Sequence, residues 1–344
     1  MRKLLFILLP ISLLMLSCQE EEEQTTDTSF YVEEKSTIKD SIQWVEEQLA
    51  SDPDNITLLL QLGRLCKEKF YYNCALNAGA KAFRLDSTRL DARALYAWTL
   101  INKPEPPLAD IERAKRHYKY ILSITPNDPE TMVHLANTYS FLGDFETSFK
   151  LINDALRINE RFRDAYVLKG TNYGKAGNYE LALSSYQTAV QIDPEYFMGH
   201  LQIGYLLTNL ERHELAIEYY QNAVNIDPTS IEALYGIAKS YQDLGAFEEA
   251  QHHYREILAL DPKFYIAYFN QGFLKHYGTQ ELDSAVYYYN LCIDVQPESV
   301  RAWHNLGEAY FAQGRKADAA RAFSEALTLN PDFEPTLEAK EKLR

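Results

Sequence analysis

The chain has 344 residues, a formal net charge of −15 and 25 tyrosines. Length alone suggests two or three domains. The acidic balance argues against nucleic acid as a partner, because phosphate binding needs a concentrated basic surface and no run of Lys and Arg stands out.

The chain opens on Arg2 and Lys3, followed by an apolar stretch from Leu4 to Leu16. That stretch is about thirteen residues long, short of the roughly 20 that a spanning helix needs, so it reads as a secretion signal and not as a transmembrane anchor. It closes on Met15-Leu16-Ser17-Cys18. The ending resembles the lipobox of bacterial lipoproteins, in which a small residue precedes the cysteine that becomes the lipidated first residue; Met15 departs from the commoner Leu. The resemblance implies that residues 1–17 are a signal peptide, that Cys18 carries lipid, and that the chain is held at the bacterial outer membrane. Gln19 and Glu20 to Glu23 come next. An acidic run in that place resembles the surface-export signal of Bacteroidetes lipoproteins, and it is equally a solvated linker, so periplasmic and surface placement both stay open. Residues 18–31 are polar, with Thr25-Thr26-Asp27-Thr28-Ser29, and read as a flexible tether.

Residues 32–54 hold a lone helix, clearest from Asp40 to Ala50 and closed by Asp52-Pro53, with Ser41 and Val45 in register with the second helices of the downstream repeats. It is expected to cap the start of a repeat array. From Ile56 to Phe333 the chain writes one pattern eight times: helix, short turn, helix, usually a proline. The step is about 34 residues, with repeats near 56–89, 90–128, 129–162, 163–196, 197–230, 231–264, 265–299 and 300–333. One position of each first helix is Gly or Ala: Gly63, Ala97, Ala136, Gly170, Gly204, Ala238, Gly272, Gly307. One position of each second helix is small: Ala75, Ala114, Ser148, Ala182, Ala216, Ala250, Ala285, Ala319. Four residues later, on the same helix face, stands a large filler: Tyr118, Ile152, Tyr186, Tyr220, Tyr254, Tyr289, Phe323. Gly79 takes that place in the first repeat, where looser packing is expected. Pro126, Pro194, Pro228, Pro262, Pro297 and Pro331 come after the second helices, which they cannot extend. Gly143, Gly177, Gly245 and Gly314 sit where first helices should stop. Two insertions, around Lys103 to Pro107 and near Gly278, should bulge at turns, where extra residues are tolerated. Gly170, Gly174 and Gly177 together predict a soft point in the fourth repeat, at roughly 1 kcal/mol per helical glycine relative to Ala. At the far end, residues 334–344 read as a short polar capping helix with Pro335 at a first helical position.

These eight phased registers resemble the tetratricopeptide repeat family over most of the chain. The resemblance implies an all-α fold, a right-handed superhelical solenoid of helix-turn-helix repeats whose first helices line a concave groove for a protein or peptide partner. By register, the groove would present Tyr205, Tyr235, Lys239, Gln242, Phe269, Phe273, His276 and Tyr277 in the later repeats. In the early repeats it would present Arg64, Lys67, Trp98, Asn137 and Thr171. Aromatics in a groove anchor a peptide or the face of a sugar; Phe269 and Phe273 are equally open to a reading as packing between repeats. Members that clamp a terminal carboxylate do so with cations at one position of the first helices. Here that position reads Leu60, Ala94, Val133, Val167, Leu201, Tyr235, Phe269 and His304, so no such clamp is expected.

The remaining chemistry is sparse. Cys292 replaces Ala or Ile of other repeats and reads as core; Cys66 and Cys74 lie on the two helices of one repeat, and whether they pair depends on geometry that sequence does not supply. His252 and His253 are neighbours that point about 100° apart on a helix, so a shared metal is disfavoured and a solvated face is expected. No HExxH, GxSxG or phosphate-binding glycine motif occurs. The expectation is therefore a non-enzymatic scaffold with no cofactor and no metal, lipid-anchored in the cell envelope and holding a protein or peptide. Glycan or peptidoglycan stacked on the aromatic groove is the alternative.

Overall fold

A computed structural model describes residues 32–69 and 71–343, with side chains from residue 40 onward. The signal peptide 1–17, Cys18 and the tether 18–31 lie outside the described residues. The described residues are helical hairpins throughout, with no strand among them. They fall into two compact units that divide after Leu168.

The first unit runs α1 (Val32–Ser51), α2 (Ile56–Glu68), α3 (Tyr72–Leu85), α4 (Leu90–Ile101), α5 (Leu108–Ile124), α6 (Pro129–Phe141), α7 (Phe145–Ile158) and the start of α8 (Arg163–Lys175). The second continues through α9 (Tyr179–Ile192), α10 (Phe197–Asn209), α11 (His213–Ile226), α12 (Ile231–Asp243), α13 (Phe247–Leu260) and α14 (Tyr265–Phe273). After a π-helical turn at Leu274–Gly278 it ends with α15 (Leu282–Val295), α16 (Val300–Ala312), α17 (Lys316–Leu329) and α18 (Glu334–Lys342). The cap helix α1 begins at Val32, ahead of Asp40; nothing in Val-Glu-Glu-Lys-Ser-Thr-Ile-Lys breaks a helix.

The second-helix small residues are the seam of every hairpin: Ala75, Ala114, Ala182, Ala216, Ala250, Ala285 and Ala319 have no exposed surface. Ser148 takes the same place at the same burial and satisfies its hydroxyl by donating to the Ala136 carbonyl at 2.8 Å. The filler one turn on shares a buried cluster with that small residue, as in Ala114 with Tyr118 and Ala319 with Phe323. It also lies across the small residue of the first helix. A Cβ on Gly307 would sit 2.4 Å from Phe323 Cε1, and one on Gly204 would sit 2.7 Å from Tyr220 Cδ1. Tyr118, Tyr254, Tyr289 and Phe323 are fully enclosed as a result, and burying each such ring stabilises by roughly 1.5–3 kcal/mol.

The first repeat solves the packing differently. With Gly79 in the filler place, Leu95 of the next repeat enters the gap: a Cβ on Gly63 would lie 2.4 Å from Leu95 Cδ2, and one on Gly79 would lie 3.1 Å from Leu95 Cγ and 3.3 Å from the Tyr96 nitrogen. No gap is left at the Gly79 position itself, because a residue without a side chain lets the neighbouring backbone approach. Gly170 has the same use, with a Cβ position 3.0 Å from the Tyr186 ring. Gly177 lies beyond α8 at φ 77°, as a C-terminal cap. Of the three glycines read as a soft point, only Gly174 is an open helix position, 3.9 Å from the Ala182 Cβ.

First helices end as expected at Gly143, Gly177, Gly245 and Gly314, all at φ 76–77°. Where the repeat has no glycine, Glu211 (φ 58°) and Gln280 (φ 59°) adopt the left-handed conformation instead. The insertion in the second repeat lengthens the loop between α4 and α5, with Glu105 at φ 47° and Lys103 paired to Asp110. The insertion near Gly278 does not loop out at the turn. The end of the first helix absorbs it as the π-helical turn Leu274–Gly278. Among the described residues no helix is long and apolar enough to cross a membrane.

Candidate partner-binding surface

The predicted groove residues of the second unit separate into three environments. Tyr205 on α10 and Tyr277 in the π-helical turn stand out from the surface, 54% and 46% exposed. Phe273 is half-buried and braces Tyr277, their ring centres 4.8 Å apart. The π turn makes this pairing possible: it widens the last helical turn, and Gly278 closes against Phe247, 2.9 Å from where a Cβ would stand.

Tyr235 and Phe269 are packed between hairpins. Tyr235 lies against Phe264 and Tyr254 at 6.1 and 6.2 Å, and Phe269 against Tyr289 at 6.0 Å. Lys239 is tied to Asp243 one turn on, and Gln242 accepts from the Tyr254 hydroxyl at 3.0 Å. His276 departs from its expected groove position. It is 5% exposed, sandwiched between Tyr277 at 4.0 Å and Tyr289 at 6.2 Å, and burial pushes its pKa down. The extra residue of the π turn rotates this position inward.

In the first unit Trp98 is 7% exposed and faces the hairpin core, with Tyr72 stacked on it at 6.2 Å and the Lys67 ammonium 5.3 Å from its ring. It is a packing residue here, and Lys67 is held by it. The solvent-facing groups on these first helices are polar, as the register predicts. Arg64 lies 3.9 Å from Asp91, and the two border an open cleft of about 290 Å³ with Thr57, Leu60, Gln61, Leu65 and Arg89. On α6, Glu130 meets His134 at 3.5 Å, and its pKa is lowered first by that contact and then by Lys67 and Arg64. The position that holds cations in carboxylate clamps is filled here by buried Leu60, Val133 and Leu201, which serve the seams between helices.

Two features were not read from the sequence. Cys66 and Cys74 form a disulfide, their Cα atoms 5.9 Å apart. The hairpin turn brings α2 and α3 together at this level, and no spacing rule foretells it. Beside the bridge, Ile42, Glu46, Tyr71, Tyr72 and Asn73 line an open cleft of about 490 Å³. The other is the basic face of α5, where exposed Arg113, Arg116 and Lys119 concentrate positive charge in an acidic chain. Cys292 is fully buried as expected, and burial pushes its thiol up to about 11.

Comparison with known proteins tracks the repeats. The tetratricopeptide repeat family matches residues 231–264 and 300–333, and two further TPR repeat families match 204–245 and 129–162 with 164–196. No curated protein matches the chain in sequence. Among solved structures, the C-terminal part of a TPR repeat-containing protein from Cytophaga hutchinsonii superimposes with a TM-score of 0.59 at 21% identity, over 67% of this chain and 94% of that one. The APC/C hetero-tetramer Cut9–Hcn1 gives 0.52 at 14% identity, over 89% of this chain and 59% of that one. MamA gives 0.46 at 24% identity, over 49% and 92%. The first two share the fold of stacked helical hairpins.

Proposed function

From a chain built of tetratricopeptide repeats, we propose a lipid-anchored scaffold of the bacterial cell envelope that holds a protein or peptide partner on the first-helix face of residues 197–278. The observation that carries the reading is the pair Tyr205 and Tyr277. Both rings stand about half out of water at the first-helix side, whereas Tyr235 and Phe269, four residues earlier in the repeat than Tyr205, pack against aromatic neighbours. Rigid aromatics of this kind anchor interfaces, because they bury much area at little entropic cost. The leader ending in Cys18 supports envelope placement. The Cys66–Cys74 bridge supports it independently, since such bonds persist in oxidising compartments.

The test is photocrosslinking in cells from positions 205 and 277, with exposed Tyr287 of the second helix α15 as control. Both positions should capture one shared protein that Tyr287 does not. Tyr205→Ala and Tyr277→Ala should each weaken its binding about tenfold, or about 1.4 kcal/mol. Adducts no different from the control would overturn the reading. Saturable binding to purified cell wall, lost in the same variants, would replace the protein partner with glycan.

A further inference from the structure

We propose that His252, His253 and Glu256 on α13 form a site for one divalent cation of the zinc, nickel or copper type. It is independent of the partner surface proposed above.

Adjacent helical residues diverge by about 100°, and the two histidines taken alone would not share an ion. Glu256 joins them. It stands four residues after one and three after the other, and both spacings put side chains within reach on a helix. One carboxylate oxygen lies 3.5 Å from His252 Nε2, and the other lies 2.7 Å from His253 Nδ1. All three donor atoms fall within 4.8 Å of one another. An ion bound at about 2.0–2.2 Å from each donor needs only a modest inward rotation of side chains that are free to turn: His252 is 62% exposed and Glu256 43%.

The third ligand is already oriented. The His253 ring is 17% exposed and lies parallel to Tyr241 of α12, at 5.7 Å between centres and 5° between planes. That stacking fixes the ring without using either nitrogen. Two imidazole nitrogens and one carboxylate oxygen form a mixed donor set that suits zinc, nickel and copper and disfavours magnesium and calcium, which take oxygen ligands. Water would complete the coordination on the exposed side. Glu248 and Glu249, one turn earlier, add negative charge that favours a dication. An ordinary surface ion pair would need only one histidine beside the carboxylate. Here one carboxylate serves both, and an ion would take the place of the direct contact between His253 Nδ1 and Glu256.

Isothermal titration of the full-length Cys18→Ser chain, stripped of metal and titrated with zinc chloride and then nickel chloride, tests this; the substitution keeps the leader thiol out of the measurement. One ion per chain should bind. His252→Ala and Glu256→Gln should each weaken it at least tenfold, and both positions are exposed enough to leave the circular dichroism spectrum unchanged. His253→Ala should do the same, and the His253 imidazole resonances should shift on saturation. No zinc or nickel binding would overturn the site. So would unchanged affinity in His252→Ala or Glu256→Gln, or loss with His253→Ala alone.

Discussion

One methyl group has opposite consequences at two glycines of this chain. On Gly307 it would stand 2.4 Å from Phe323 Cε1, against a ring with no exposed surface and no room to turn. Gly307→Ala should destabilise by about 1–3 kcal/mol through overpacking. On Gly174 the nearest atom is an ordinary 3.9 Å away, and Gly174→Ala should stabilise by about 0.5–1 kcal/mol through helix propensity. Urea denaturation of the two variants checks both signs. His117 sets a second residue-scale expectation. It accepts from Arg93 Nη1 at 3.1 Å and packs on Phe83 and Tyr96. Burial first, then Arg93, Arg113 and Arg116, push its pKa down from 6.5 to about 4. The unfolded chain therefore binds this proton more tightly. Its contribution is whole above pH 6.5 and is lost as pH falls toward 4. Amide-exchange protection in α4 and α5 should weaken from pH 7 to pH 5, and His117→Gln should flatten that dependence. The register placed His276 and Trp98 on first helices, and both are there. Which way each points was not legible, because an aromatic beside a groove and one between hairpins differ by a small rotation of the helix.

At the scale of elements, departures from the repeat were absorbed by the nearest element able to yield. Gly79 leaves a gap that Leu95 of the next helix fills. The extra residue near Gly278 goes into a π-helical turn, where a hydrogen-bonded ring one residue larger keeps the backbone satisfied in a way an open loop would not. That choice turns His276 inward and leaves Tyr277 out. The Cys66–Cys74 bridge is the one covalent tie across a described hairpin, at a sequence separation of 8. Closing so short a loop in the unfolded chain is worth about 2–3 kcal/mol. Reduction, or Cys66→Ser with Cys74→Ser, should lower stability by that amount. Hydrogen exchange should rise first in α2 and α3, and Cys292, buried without a partner cysteine, should stay unreactive. The hairpins themselves were legible down to the capping glycines, because helix period, small seam and stop signal all repeat. The bridge was not, because it depends on how closely two helices converge.

For the molecule as a whole, repetition is the organising fact, and each hairpin contributes one more copy of the same seam. The envelope reading makes a prediction at this scale. Cys18→Ser should move the chain from the membrane fraction to the soluble fraction, without changing its circular dichroism spectrum or thermal midpoint. A chain that stays with the membrane would sink the lipid anchor. Sequence alone determined the all-α helical repeat and the identity of the seam residues, since period and side-chain size are properties of the chain itself. Only tertiary structure decided which aromatics reach solvent, that Cys66 meets Cys74, and that Glu256 draws His252 and His253 together. The first two depend on the rotation and spacing of neighbouring helices, which no local pattern encodes; the third depends on the side-chain rotamers chosen on α13, which the i,i+3 and i,i+4 spacing permits but does not fix.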